Sequence, residues 1–241
     1  MSCVLYCVGR EGLHQGPEAP LGAHSQPVCL VSDSGLSAVV SELEPSASPP
    51  DVATLLAYEK VVEYYFAQAT IIPMRYECWL RGPAEVAGLL RERGAEYDAL
   101  LQQLEGFAEM GVQLLSSGLA AAETAAPQPA LPNHNGDATG AAYLSSRKRH
   151  YRASERSASR QYEVIDSLCG ALASSFARRK VEPPAAAPHL LSVYFLVPRI
   201  QVARFRDLVR EYRAAADAKL LLSGPWPPYN FVDFPTAPSI S

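Results

Sequence analysis

The spacing of hydrophobic positions changes several times along this chain, and each change marks an element. Residues 3–9 are short and almost wholly apolar (Cys3-Val4-Leu5-Tyr6-Cys7-Val8), which predicts a buried strand. The Gly- and Pro-rich stretch from Gly9 to Pro27 predicts an exposed loop. Two β-rich runs, 28–32 and 36–41, then flank Asp33-Ser34-Gly35, the pattern of a hairpin. Asp51 stands where it can cap a helix over 52–69, in which Leu55, Tyr58, Val62, Phe66 and Ala69 share one face and Lys60, Tyr64 and Ala67 the other. Residues 70–76 read as a strand, with Pro73 marking an edge or an irregularity. Gly82-Pro83 opens one helix whose buried stripe is Val86, Leu89, Leu90, Tyr97, Leu100, Leu101 and Leu104, and Gly106 ends it. A strand over 107–115 follows.

Residues 116–140 have no period and are rich in Ala, Pro, Asn and Gly, so they form a linker or a long flexible loop. From 141 to 179 the pattern is helical, with Tyr162, Ile165, Cys169, Leu172 and Phe176 as the stripe of its second half. Pro183, Pro184 and Pro188 break it. A buried strand over 190–197 and an amphipathic helix over 199–216, striped by Phe205, Leu208, Val209 and Tyr212, come next. Leu220-Leu221-Leu222 begins as a strand and runs into Gly224-Pro225-Trp226-Pro227-Pro228-Tyr229-Asn230-Phe231. Three prolines in four positions force this segment out of a sheet or along its edge, and Trp226, Tyr229 and Phe231 carry large apolar areas to bury. It reads as the last strand of the C-terminal half continuing along that half's own surface. On that reading Trp226→Ala removes several kcal/mol from the C-terminal domain.

The order of elements predicts an α+β protein of two small domains, each with helices on one face of a mostly antiparallel sheet and with ferredoxin-like packing as the simplest arrangement. The expected domains are 1–106, and 107–241 with the 116–140 segment and the C-terminal strap in the second.

Composition narrows the function more than the fold. Apolar residues make up 48% and charged residues 19% of the 241, enough for a real core in each domain. A net charge of −4 gives no reason to expect a nucleic-acid binder. With no run of 18 apolar residues and no basic leader, a soluble intracellular protein is expected, with no membrane partner. The five cysteines are odd in number and widely spread; Cys3 and Cys7 lie about 13 Å apart along a strand, too far for one metal ion, and read as buried thiols. The histidines are isolated, and His14, His24 and His134 read as solvated. No phosphate-loop, dinucleotide, nucleophile-elbow or zinc-helix motif occurs. Glu59 and Glu63 form an i,i+4 pair at the margin of the first helix's buried face, for which Arg75 is the expected ion-pair partner. No catalytic residue, cofactor or metal site is predicted.

One local charge bias stands out. Arg147, Lys148, Arg149, Arg152, Arg156 and Arg160 face Glu155 alone. This is either a solvated helix face or a docking surface for an acidic partner; no aromatic interleaving accompanies it, so nucleic acid is disfavoured.

The residues Gly224-Pro225-Trp226-Pro227-Pro228-Tyr229-Asn230-Phe231 closely resemble the Gly-Pro-Trp-Pro-Pro-Tyr-x-Phe ending of the gas vesicle accessory proteins of the GvpF/GvpL family. Further stretches resemble the family in the right order: Tyr6-Cys7-Val8, Gly35 to Ser41, Tyr58-Glu59-Lys60-Val61-Val62, Ile71 to Tyr76, and Gly140-Ala141-Ala142-Tyr143-Leu144. Two departures are that Tyr76 is followed by Glu77-Cys78-Trp79 rather than by Gly and small residues, and that Tyr58 stands where His is frequent. The resemblance implies an N-terminal α+β domain and a C-terminal modified ferredoxin-like domain. It also implies a non-enzymatic accessory or minor structural protein that binds the shell protein GvpA, and other gas vesicle accessory proteins, in building the shell. Its place would be the gas vesicle, at the gas-facing side of the shell, and the cytoplasm. The competing reading is an adaptor that presents Pro225-Trp226-Pro227-Pro228 as a P-x-x-P ligand.

Overall fold

The computed structural model describes residues 2–44, 49–76, 78–115, 159, 161–182, 190–216 and 219–232. The strands are β1 (Ser2–Arg10), β2 (Cys29–Asp33), β3 (Leu36–Leu43), β4 (Ile71–Pro73), β5 (Trp79–Leu80), β6 (Phe107–Leu115), β7 (Arg178–Glu182), β8 (Leu190–Pro198) and β9 (Leu220–Trp226). The helices are α1 (Val52–Gln68), α2 (Pro83–Glu92), α3 (Gly94–Leu104), α4 (161–172) and α5 (Val202–Ala216). Contacts divide the chain into two units. The first takes in Met1–Glu109, Pro198–Ile200 and Gly224–Ser241, the second Met110–Val197 and Gln201–Ser223.

In the first unit the sheet order is β2-β3-β1-β4, with β5 also paired to β1. The β2–β3 hairpin turns through Ser34 and Gly35, both at positive φ, with Asp33 paired to Leu36, as a two-residue turn requires. β1 is central and buried along most of its length, but its pairing with β3 slips between Leu5 and Cys7, leaving Tyr6 as the extra residue of a bulge. Val4, Tyr6 and Cys7 join Tyr58, Val61, Val62, Tyr65 and Phe66 of α1 in one core cluster. Cys3 and Leu5 are just as buried, and α2 and α3 pack against the strands as well. Helices therefore cover both faces of this sheet, where one face was expected. β1 runs straight into the hairpin with no helix between, so this is not the ferredoxin-like order.

Several local expectations shift by a fraction of a turn. Asp51 caps α1 by accepting a hydrogen bond from the Thr54 amide (2.8 Å). The buried face of α1, however, is centred on Val61 and Tyr65, and Leu55 is exposed. The single helix expected over 83–104 is two, α2 and α3, joined at Arg93. The stripe holds across the break at Val86, Leu90, Tyr97, Leu101 and Leu104. The loop before β2 is pinned rather than merely exposed. Tyr6 Oη accepts a hydrogen bond from the Ala23 amide (2.8 Å) and donates to Ser41 Oγ (3.0 Å), and Tyr64 Oη accepts one from the Gly16 amide (3.0 Å). A Cβ on Gly22 would lie 2.1 Å from Tyr6 Oη, so no side chain fits there.

In the second unit the chain order β6-α4-β7-β8-α5-β9 and the sheet order β7-β8-β6-β9 together are the split βαβ arrangement of ferredoxin-like folds. Met110, Val112 and Leu114 of β6 pack with Ile165, Leu168, Cys169 and Leu172 of α4 and with Phe205 and Val209 of α5. Phe195 stacks with Phe176 (5.0 Å) and Phe205 (5.2 Å), and Tyr212 Oη donates to the Val164 carbonyl (3.1 Å), tying α5 to α4. Two expectations fail here. Tyr162 is exposed, and residues 178–182 are a strand instead of the end of the helix.

Candidate functional site

The C-terminal motif is built from two differently held halves. Leu220 to Trp226 form β9, the edge strand beside β6. Leu220 is buried in the ferredoxin-like core, whereas Trp226 is 39% exposed. The chain then leaves the sheet at Pro227 and makes a turn of 3-10 helix over Tyr229–Phe231. Pro227, Pro228 and Phe231 are buried, and Tyr229 packs against the core of the first unit. The strap expected on the second domain is thus counted with the first from Gly224 onward, and its tryptophan is not the anchor.

Its anchor is a carboxylate. Glu109, only 3% exposed, accepts the Asn230 backbone amide on one oxygen (2.8 Å) and the Asn230 side-chain amide on the other (2.7 Å). A buried carboxylate is tolerated where charge-assisted bonds satisfy both oxygens. Nearby, Arg199 donates to the Phe66 carbonyl (2.8 Å), places its guanidinium 3.9 Å from the Phe66 ring centre, and its backbone amide bonds Gly106 O (2.8 Å).

Tyr229 also walls a cleft of about 300 Å³ on the first unit, together with Leu55, Tyr58 and Glu59 of α1 and Met74, Arg75 and Tyr76 of the segment after β4. The cleft lies where the ladder is interrupted. β4 ends at Pro73, β5 resumes at Trp79, and the bulge at Tyr6 faces the gap. Carbonyls left over there are met by a side chain: Tyr58 Oη lies 2.8 Å from Leu5 O and 3.0 Å from Met74 O, and its one proton serves either. The rings form a chain of contacts from Tyr6 to Tyr58 (4.7 Å, tilted) and then edge-to-face to Tyr76 (5.3 Å) and Trp79 (6.4 Å).

The electrostatics of the cleft are lopsided. Burial, and then the neighbouring Glu63, raise the Glu59 carboxyl above its ordinary value. Burial, and then Glu59, push the Tyr229 phenol far up, and its hydroxyl has no hydrogen-bond partner among the described residues. Arg75 is exposed and forms no ion pair with Glu59 or Glu63, contrary to expectation.

The basic residues Arg147, Lys148, Arg149, Arg152, Arg156 and Arg160, and the 116–140 segment, lie outside the described residues, as does Gly140–Leu144. Among the described residues no three His, Cys, Asp or Glu side chains are grouped to hold a metal ion, and no helix is long and apolar enough to cross a membrane. Cys3, Cys7 and Cys169 are buried free thiols, while Cys29 is exposed. Sequence reading missed Glu109, Asn230 and Arg199. The available signal for the first was a lone carboxylate inside an apolar strand; Asn230 fills the variable position of the motif and carried none.

Residues 2–233 match the family described as gas vesicle synthesis protein GvpL/GvpF. The chain belongs to that family. Among solved structures, the gas vesicle protein GvpF from Anabaena sp. PCC7120 shares the fold at TM-score 0.74 and 18% identity, over 98% of this chain and 97% of that one. GvpF from Microcystis aeruginosa does so at TM-score 0.73 and 17% identity, over 97% and 99%. No curated protein matches the chain. In this GvpL/GvpF chain the Gly-Pro-Trp-Pro-Pro-Tyr-x-Phe segment runs from the end of β9 into a 3-10 turn whose Tyr229 packs with the core cluster of the first unit.

Proposed function

We propose that this protein is a non-enzymatic accessory factor in gas vesicle assembly, which binds the shell protein GvpA and helps nucleate or build the shell. Membership of a gas vesicle synthesis family supports the assembly role, and the match over residues 2–233 is the observation that carries it. Contact with GvpA, association with the vesicle and the absence of catalysis are the finer parts of the proposal. The adaptor reading loses support, because Pro227 and Pro228 are buried and only Pro225 and Trp226 of the P-x-x-P segment are exposed.

The test is deletion of the gene from a gas vesicle cluster, with vesicle yield read by flotation and electron microscopy. Loss or malformation of vesicles, restored by the gene in trans, is expected. Wild-type yield in the deletion overturns the assembly role, and failure of purified GvpA to bind in a pull-down overturns the contact.

A further inference from the structure

The tyrosine-lined cleft has chemistry that the fold itself leaves unused. Glu59 lines it and is half-buried, and Glu63 follows one turn later on α1; neither has a cationic partner among the described residues. A carboxylate withdrawn from water beside a second carboxylate is disfavoured unless a cation joins it. The walls are the kind that accept one. Tyr58, Tyr76 and Tyr229 line the same space, and aromatic side chains attract an ammonium or guanidinium while covering its aliphatic stem. Arg75, the one cation among the described residues that line the cleft, is exposed and does not pair with Glu59.

What adjoins the cleft argues for a polypeptide over a small cation. The first turns of α1 expose Val52 (72%), Leu55 (39%) and Leu56 (57%), and Leu55 is itself a cleft wall. An apolar strip continuous with a cation-seeking cleft matches a segment that carries a basic residue among apolar ones.

We propose that the cleft receives a lysine or arginine side chain from a partner polypeptide, its charge on Glu59 between the tyrosine rings and its apolar neighbours on Leu55 and Leu56. Naming GvpA as that partner rests on the function proposed above; the chemistry of the cleft does not.

The experiment titrates the full chain with N-acetyl-arginine methylamide and N-acetyl-lysine methylamide, with N-acetyl-norleucine methylamide as the uncharged control, reading the methyl resonance of Met74 in the cleft wall. A saturable shift is expected with the two basic probes. Loss of the ion pair in Glu59→Gln weakens it about fivefold, and Arg75→Met, which removes a competing like charge, tightens it about twofold. An equal response to the norleucine probe overturns the proposal, as does an unchanged titration in Glu59→Gln. Arg75→Met supplies an independent arm, since weaker binding in that variant also overturns it. Purified GvpA separates the two levels. If the basic probes saturate the cleft while GvpA does not bind the wild type, the cleft stands and the partner falls. If GvpA binds wild type and Glu59→Gln alike and no probe saturates, the cleft falls and the shell-binding function stands.

Discussion

The two halves of the C-terminal motif are held by opposite means. Residues 220–226 are a strand that leaves its largest side chain partly in solvent, with Trp226 at 39% exposure. Residues 227–231 have no ladder at all, yet Pro227, Pro228 and Phe231 are buried and the turn is fixed by two hydrogen bonds on one carboxylate. The lesson is that size and conspicuousness do not decide which residue anchors a segment. A stiff diproline loses little backbone entropy when ordered, so a few well-placed groups suffice to hold it.

This contrast can be broken at either end. The largest effect is expected from Phe231→Ala, because the ring is 3% exposed and its removal leaves a cavity: about 3–4 kcal/mol lost in chemical denaturation of the whole chain. A loss below that of Trp226→Ala would reverse the ranking. Glu109→Ala comes next. It removes both acceptors of the part-buried Asn230 donors and is expected to cost about 2 kcal/mol, with rapid proteolysis around 224–232 as the local readout. Protection equal to wild type would mean that the carboxylate does not hold the turn.

Trp226→Ala is expected to cost about 2 kcal/mol, less than Phe231→Ala and no more than Glu109→Ala, because the side chain keeps 39% of its surface in water although the larger part is buried. The sequence alone argued for several kcal/mol, so this variant discriminates directly between the two readings. The smallest effect concerns Glu59 and has a sign that can be checked. Its carboxyl holds its proton more tightly in the folded chain than in the unfolded one, so its ionisation opposes folding. That opposition is absent below the ordinary glutamate value and complete above the raised one. Glu59→Gln should therefore melt slightly higher than wild type at pH 7 and level with it near pH 4. A variant melting lower at pH 7 would show that Glu59 already has a stabilising cation.

Legibility in the sequence follows from how local the cause is. The β2–β3 turn, the Asp51 cap and the Pro83 helix start were readable because neighbours in sequence fix them. The alternation of strand and helix in the second unit was readable from period, except for the strand Arg178–Glu182, which reads as the end of a helix in the sequence. Long-range causes were not. The Leu55 stripe assignment failed by part of a turn because Val61 and Tyr65 complete a face chosen by Val4, Tyr6 and Cys7 of β1, some fifty residues earlier. Trp79–Leu80 is too short to show a period. The Tyr58 hydroxyl answers carbonyls freed by a bulge and a broken ladder, neither of which leaves a mark in composition. Glu109 meets Asn230 across 121 positions.

The split make-up of the first unit sets a constraint on synthesis. Its β1 leaves the ribosome long before the residues that finish its core, for Arg199 emerges partway through the ferredoxin-like unit and the 224–232 turn only after that unit has been made. The earlier portion must wait with Glu109 and the surface around Tyr58 uncovered, an opening that a chaperone or a premature partner could occupy. Completion of the first unit thus comes late for the nascent chain, waiting on residues 224–232.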